Sequence, residues 1–159
     1  MKRSRTSAGM LMFRKRTAGL EFLLAHPGGP YFRSKDEGFW TIPKGEASDG
    51  EDLLERARIE FQEEVGLAPF GNFIALGWVK QKGGKIVHAW GFEGDFDDDF
   101  KPTSNSFEIE WPPGSGKTER FPEVDDVAFF PLAEAERKLK AAQIPFLHRL
   151  KDAPQLLDD

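Results

Sequence analysis

Apolar residues fall along this chain in short blocks rather than in one sustained period. AGMLMFR (8–14) and LEFLLAH (20–26) are near-continuous apolar runs joined by KRTAG, which predicts two strands linked by a tight connection containing Gly19. Residues 27–38 are rich in Gly, Pro and charge and predict a surface loop, followed by a short strand at Phe39 to Ile42 that Pro43-Lys44-Gly45 breaks. EDLLERARIEFQEEV (51–65) has the one clear helical period, with Asp49-Gly50 before it and Gly66 after it. Phe73 to Lys80 and Ile86 to Phe92 flank Gly83-Gly84 as a hairpin. Val127 to Phe130 predicts a further strand, Leu132 to Ala141 a second helix, and Phe146 to Leu150 a short third. Strands and helices mix without strict βαβ alternation, which favours an α+β sandwich over a doubly wound sheet.

A length of 159 residues bounds the chain to one domain, with residues 1–7 and 152–159 expected as flexible ends. Apolar residues at 39% and aromatics at 13% exclude wholesale disorder. A net charge of −5 argues against bulk nucleic-acid binding or an anionic membrane surface as the main partner. With no Cys and three scattered His, thiol catalysis and Cys/His zinc sites drop out, so any metal here is a hard cation held by oxygen. The basic stretch Met1 to Arg16 has too short an apolar run for a signal peptide. Together with the lack of Cys, that predicts a cytoplasmic protein with no membrane span.

On a helical wheel, Leu53, Leu54, Ala57, Phe61 and Val65 share one arc of about 120°. Glu60, Glu63 and Glu64 converge within about 100°, and Glu64 lies inside the edges of the apolar arc. A carboxylate there is costly unless something positive faces it. Lys or Arg from elsewhere can do so, and so can Mg²⁺, which prefers hard oxygens. The plain alternative is a solvated acidic helix face.

Gly45, five residues, Glu51, eight residues and then EFQEEVGL (60–67) resemble the Nudix hydrolase signature G-x5-E-x7-R-E-U-x-E-E-x-G-U, where U is bulky and apolar. Eight of the nine specified positions agree; Ile59 stands where the signature has Arg, and Arg58 sits one residue early. Trp40-Thr41-Ile42-Pro43-Lys44-Gly45 is similar to the W-x-x-P-K-G segment of members acting on dinucleoside polyphosphates or diphosphoinositols. The resemblance implies an αβα sandwich with a mixed central sheet, and Mg²⁺ or Mn²⁺ held by Glu60, Glu63, Glu64 and the Gly45 carbonyl. It implies hydrolysis of a nucleoside diphosphate linked to a moiety X, with a dinucleoside polyphosphate or a nucleoside triphosphate as substrate. Glu60, Glu63 and Glu64 become the catalytic candidates, Glu63 or Glu64 the base, with a carboxylate outside the helix as the alternative. Glu51, Arg58 and Gly66 become structural members of the motif. Arg58, or a basic residue from another segment, is expected to supply the charge that Ile59 lacks. That departure keeps a second possibility open, a weakly catalytic nucleotide-binding or regulatory module, as monomer or homodimer.

Outside the motif, Glu93 ends a predicted strand and is a candidate additional metal ligand, with Glu108 and Glu110 weaker candidates of the same kind. Lys44 and Arg33 are candidate phosphate contacts, and Tyr31 and Trp40 candidate stacking surfaces for a base, with core packing the competing role for Trp40. Gly114-Ser115-Gly116-Lys117-Thr118 looks like the end of a P-loop, but Trp111 stands where that motif needs Gly and Pro122 precludes the following helix, so a surface turn is expected.

Overall fold

The fold is seen in a computed structural model that describes residues 5–156. Among the described residues the chain forms eight strands, β1 (Thr6–Arg16), β2 (Gly19–Pro27), β3 (Lys44–Glu46), β4 (Ile74–Lys80), β5 (Ile86–Glu93), β6 (Ser106–Glu110), β7 (Thr118–Pro122) and β8 (Val124–Pro131), with helix α1 (Leu53–Val65) after β3 and helices α2 (Leu132–Lys138) and α3 (Ile144–Lys151) after β8. The main sheet runs β4-β5-β1-β2-β8, with β3 paired to β1, and β6 and β7 form a separate hairpin. β1 runs parallel to β5 and antiparallel to β2 and β3, so the sheet is mixed. One edge of β1 is shared: Ser7 to Gly9 pair with β3, and Phe13 to Arg16 pair with β2.

The continuous apolar runs reflect burial on both faces of the sheet. Ala8, Met10, Met12, Leu23 and Ala25 face Ala57, Phe61 and Val65 of α1. The alternate positions Leu11, Phe13, Phe22 and Leu24 face the layer that holds Ala135, Phe146, Leu147 and Leu150. This is the αβα sandwich expected from the sequence. The Gly83-Gly84 hairpin between β4 and β5 also forms, both glycines having φ of 90°.

Two expectations are corrected. The strand expected at Phe39–Ile42 is only two isolated bridges, Trp40 to Leu139 and Thr41 to Ala25. Pairing with β1 instead begins after Pro43, which has no N–H to give and offers its carbonyl to Met10 N at 3.1 Å. α1 starts at Leu53 rather than 51 because the Asp52 side chain accepts from Glu55 N and caps the helix there. Residues 6 and 7 are part of β1 and Ala153 is buried; the rest of the expected flexible ends, residues 1–4 and 157–159, lies outside the described part. The hairpin β6–β7 was not foreseen.

Among the described residues, no helix is long and apolar enough to cross a membrane. Phe61 is fully buried between α1 and the sheet, edge-on to Phe92 with ring centroids 5.1 Å apart. Phe61→Ala is expected to lower stability by about 3–5 kcal/mol in chemical denaturation, with loss of the α1 layer from the sheet.

Candidate active site

β3 and α1 meet at Gly45. A Cβ built on Gly45 would overlap the carboxylate of Glu60, so only glycine lets that side chain lie against the strand. The Gly45 backbone is in turn fixed opposite Ala8 in the centre of the sheet. At the other end of α1, Gly66 closes the helix at φ 92° and donates its N–H to Gln62 O at 2.9 Å. This cap holds the last turn, which carries Glu63 and Glu64.

Glu64 is 9% exposed, the one buried carboxylate among the described residues. Burial pushes its pKa up to about 8, the Glu60 and Glu123 charges add to the rise, and Lys44 opposes it through both its charge and its backbone. Glu60 is raised for the same first reason and by Glu63, with Arg56 opposing. Lys44 is held below the usual lysine range by burial and by the Lys140 and Lys85 charges, against Glu64 and Glu46. Burial therefore outweighs the attraction between Lys44 and Glu64, and each group is pushed towards its neutral form.

Of the residues singled out in the sequence, Gly45, Glu60, Glu63, Glu64 and Lys44 come together here. Glu123, at the junction of β7 and β8, joins them through its charge on Glu60 and Glu64. Its backbone is held by Asn105 O and Gly28 N at 2.8 and 2.9 Å. Sequence reading missed its role because Glu123 lies before the predicted strand Val127–Phe130, and nothing in the local spacing signals that the β7–β8 junction approaches α1.

Glu93 does not join the cluster. It pairs with Phe13, five residues along β1 from Ala8, the partner of Gly45, which puts it about 17 Å away along the strand. Glu108 is committed to Arg120 at 2.9 Å. Arg58 is also apart, pairing with Glu55 at 3.3 Å on the exposed side of α1. Glu51 is bound by Arg56 at 2.7 Å, and Arg56 reaches Glu60 at 3.2 Å.

Trp40 is buried, donates to Asp36 Oδ1 at 2.8 Å and packs edge-on to His26 and Phe130, so its expected role as a base-stacking surface is replaced by core packing. Tyr31 and Arg33 are exposed in the 27–38 loop, and Tyr31 meets Trp111 of the β6–β7 turn edge-on at 5.5 Å. His26 anchors that loop: its two ring nitrogens face Asp125 Oδ1 at 2.7 Å and Lys35 O at 2.6 Å. Both neighbours are acceptors, which requires both nitrogens to donate and favours the imidazolium. In the GSGKT turn, the Glu110 carboxylate accepts from Gly114 N and Gly116 N at 2.9 and 3.2 Å. The amides that a P-loop aims at phosphate are thus taken by the protein's own carboxylate.

Among the described residues, no three Asp, Glu or His side chains are gathered tightly enough to hold an ion as they stand. The donor chemistry nevertheless fits a hard divalent cation: oxygen ligands only, a carboxylate resting in the space a glycine leaves open, and a buried carboxyl with more negative than positive charge around it.

The NUDIX domain family model matches residues 3–150. The chain belongs to the NUDIX domain family. No curated protein matches it. This NUDIX chain is similar in fold to a Caenorhabditis elegans Ap4A hydrolase binary complex, at 21% identity and TM-score 0.64, covering 91% of this chain and 94% of that one. It is also similar to a MutT protein from Methanosarcina mazei at 21% identity and TM-score 0.59, covering 99% and 98%. A third similar structure is the NUDIX domain of Shewanella oneidensis NrtR complexed with ADP ribose, at 15% identity and TM-score 0.59, covering 94% and 90%. The family is generally one of hydrolases acting on pyrophosphate bonds with divalent metal ions.

Because the Glu64 pKa is raised in the fold, its contribution to stability is complete below the ordinary glutamate value of 4.5 and is lost as pH climbs towards 8. Metal-free protein is therefore expected to lose on the order of a few kcal/mol between pH 5 and pH 8, measured by urea titration, and Glu64→Gln is expected to flatten that slope.

Proposed function

We propose that this chain is a metal-dependent pyrophosphohydrolase that cleaves a diphosphate linkage in a nucleoside-diphosphate-X substrate, favouring dinucleoside polyphosphates or nucleoside triphosphates. The observation that carries the proposal is the cluster of Glu60, Glu63 and Glu64 beside Gly45, with Lys44 on the adjoining strand. The naming of a structural neighbour as an Ap4A hydrolase supports the dinucleoside polyphosphate class.

Glu60, Glu63, Glu64 and the Gly45 carbonyl are the groups that would hold Mg²⁺ or Mn²⁺. When bound, the cation neutralises diphosphate charge and makes phosphorus more open to attack. Lys44, although burial disfavours its cationic form, would place a positive charge on a phosphate oxygen once that anion is bound beside it, oriented by its place between Pro43 and Gly45. A carboxylate removes the proton from the attacking water: Glu63 or Glu64 on the helix, or Glu123 as the carboxylate outside it. Glu123 takes the place in this scheme that Glu93 is too distant to fill. Tyr31 and Arg33, on the loop anchored by His26, contribute to holding the nucleoside end.

Product release from a panel of Ap4A, ADP-ribose and nucleoside triphosphates, with Mg²⁺ or Mn²⁺, tests this. Turnover of at least one member is expected, with a kcat loss of about 100-fold or more in Glu64→Gln. Saturable nucleotide binding without turnover on any member would instead favour a binding or regulatory module.

A further inference from the structure

The family signature places an arginine directly before Glu60, and this chain has Ile59 there. Two arginines stand nearby, and their surroundings differ. Arg58 is half exposed, pairs with the equally exposed Glu55, and lies over the Phe73 ring at 5.5 Å. Arg56 spans Glu51 and Glu60. Its Nε and Nη2 donate to Glu51 Oε2 at 2.8 and 2.7 Å, and its Nη1 donates to Glu60 Oε1 at 3.2 Å. The far end of this bridge is itself fixed, because the other Glu51 oxygen accepts from Ser48 N at 2.9 Å. Loop 47–52, helix α1 and the carboxylate against Gly45 are therefore tied through one guanidinium.

Helix geometry explains the substitution. Position 56 lies three residues before 59, about 60° around the axis and about 4.5 Å towards the N-terminus. From there a guanidinium reaches Glu60 as an i,i+4 pair and remains within reach of Glu51 before the cap. The forked geometry matters because separate N–H groups must serve two carboxylates at once, which a lysine point charge does less well.

We propose that Arg56 is the positioning residue that holds Glu60 against Gly45, reaching it from about one turn before Ile59, where the signature has an arginine. The kinetic part of this inference rests on the proposed hydrolase function, while the metal-binding part stands without it. Arg56 does not touch the reacting atoms; it acts through Glu60.

The test is Mn²⁺ titration by electron paramagnetic resonance on the full chain, with circular dichroism as the folding control and kcat and KM on whichever panel nucleotide is turned over. Arg56→Ala is expected to weaken Mn²⁺ binding by about 10–100-fold and to lower kcat with KM little changed. Adding Ile59→Arg to Arg56→Ala is expected to recover most of the Mn²⁺ affinity, and Arg58→Ala to leave it unchanged. If Arg56→Ala does not fold, Arg56→Lys gives the same comparison, with a loss of several-fold expected. Wild-type Mn²⁺ affinity in a folded Arg56 variant overturns the proposal, as does a loss that Ile59→Arg does not recover or that Arg58→Ala equals. If the wild-type chain hydrolyses no nucleotide in the panel, the hydrolase function fails while the Mn²⁺ comparison still decides the role of Arg56.

Discussion

At Gly45 only a hydrogen atom separates the β3 backbone from the Glu60 carboxylate, and this close approach lets that carboxylate lie against the sheet. The approach is possible because Ala57, Phe61 and Val65 seat the helix on Ala8, Met10 and Met12, side chains slender or flexible enough to admit it. It also forces the next acidic position on that face, Glu64, under cover. A larger side chain at 45 would push the flexible Glu60 carboxylate off the strand and so change where one member of the cluster lies.

The same geometry leaves the electrostatics unbalanced. Glu60 and Glu123 act on Glu64 with like charge, and Glu63 acts on Glu60, while Lys44 is itself disfavoured as a cation by burial and by Lys85 and Lys140. Pairing within the protein therefore does not neutralise the site. An entering divalent cation would offset what burial costs here, which is the physical sense in which an acidic chain would bind an anionic substrate. Arg56 relieves Glu60 and Glu51 from the side away from Glu64, so it orients the cluster without filling its centre.

Much of this was legible in the residues. The wheel position of Glu64 inside the apolar arc anticipated its burial, and the resemblance implied that Glu60 and the Gly45 carbonyl would come together. The α+β sandwich followed from the order of strands and helices, and its αβα layering from the resemblance, with near-continuous apolar runs such as 8–13 fitting burial on both faces of the sheet. What escaped depended on pairing across distance. Glu93 looked suitable as the end of a strand, but only the β1 register shows that it leaves the sheet at the wrong end. The β6–β7 hairpin has strands that are largely exposed, so it carries no apolar alternation strong enough to announce it. Arg56 was passed over because the signature drew attention to residues next to Ile59, although its i,i+4 spacing to Glu60 was visible from the start.

The most direct measurement is a ¹³C NMR titration of the Glu64 side-chain carboxyl, first in metal-free protein and then with saturating Mg²⁺. If a buried, surrounded carboxyl is the basis of the site, Glu64 titrates near pH 8 without the ion and stays ionised down to much lower pH with it. An ordinary glutamate titration that Mg²⁺ does not move would contradict the account.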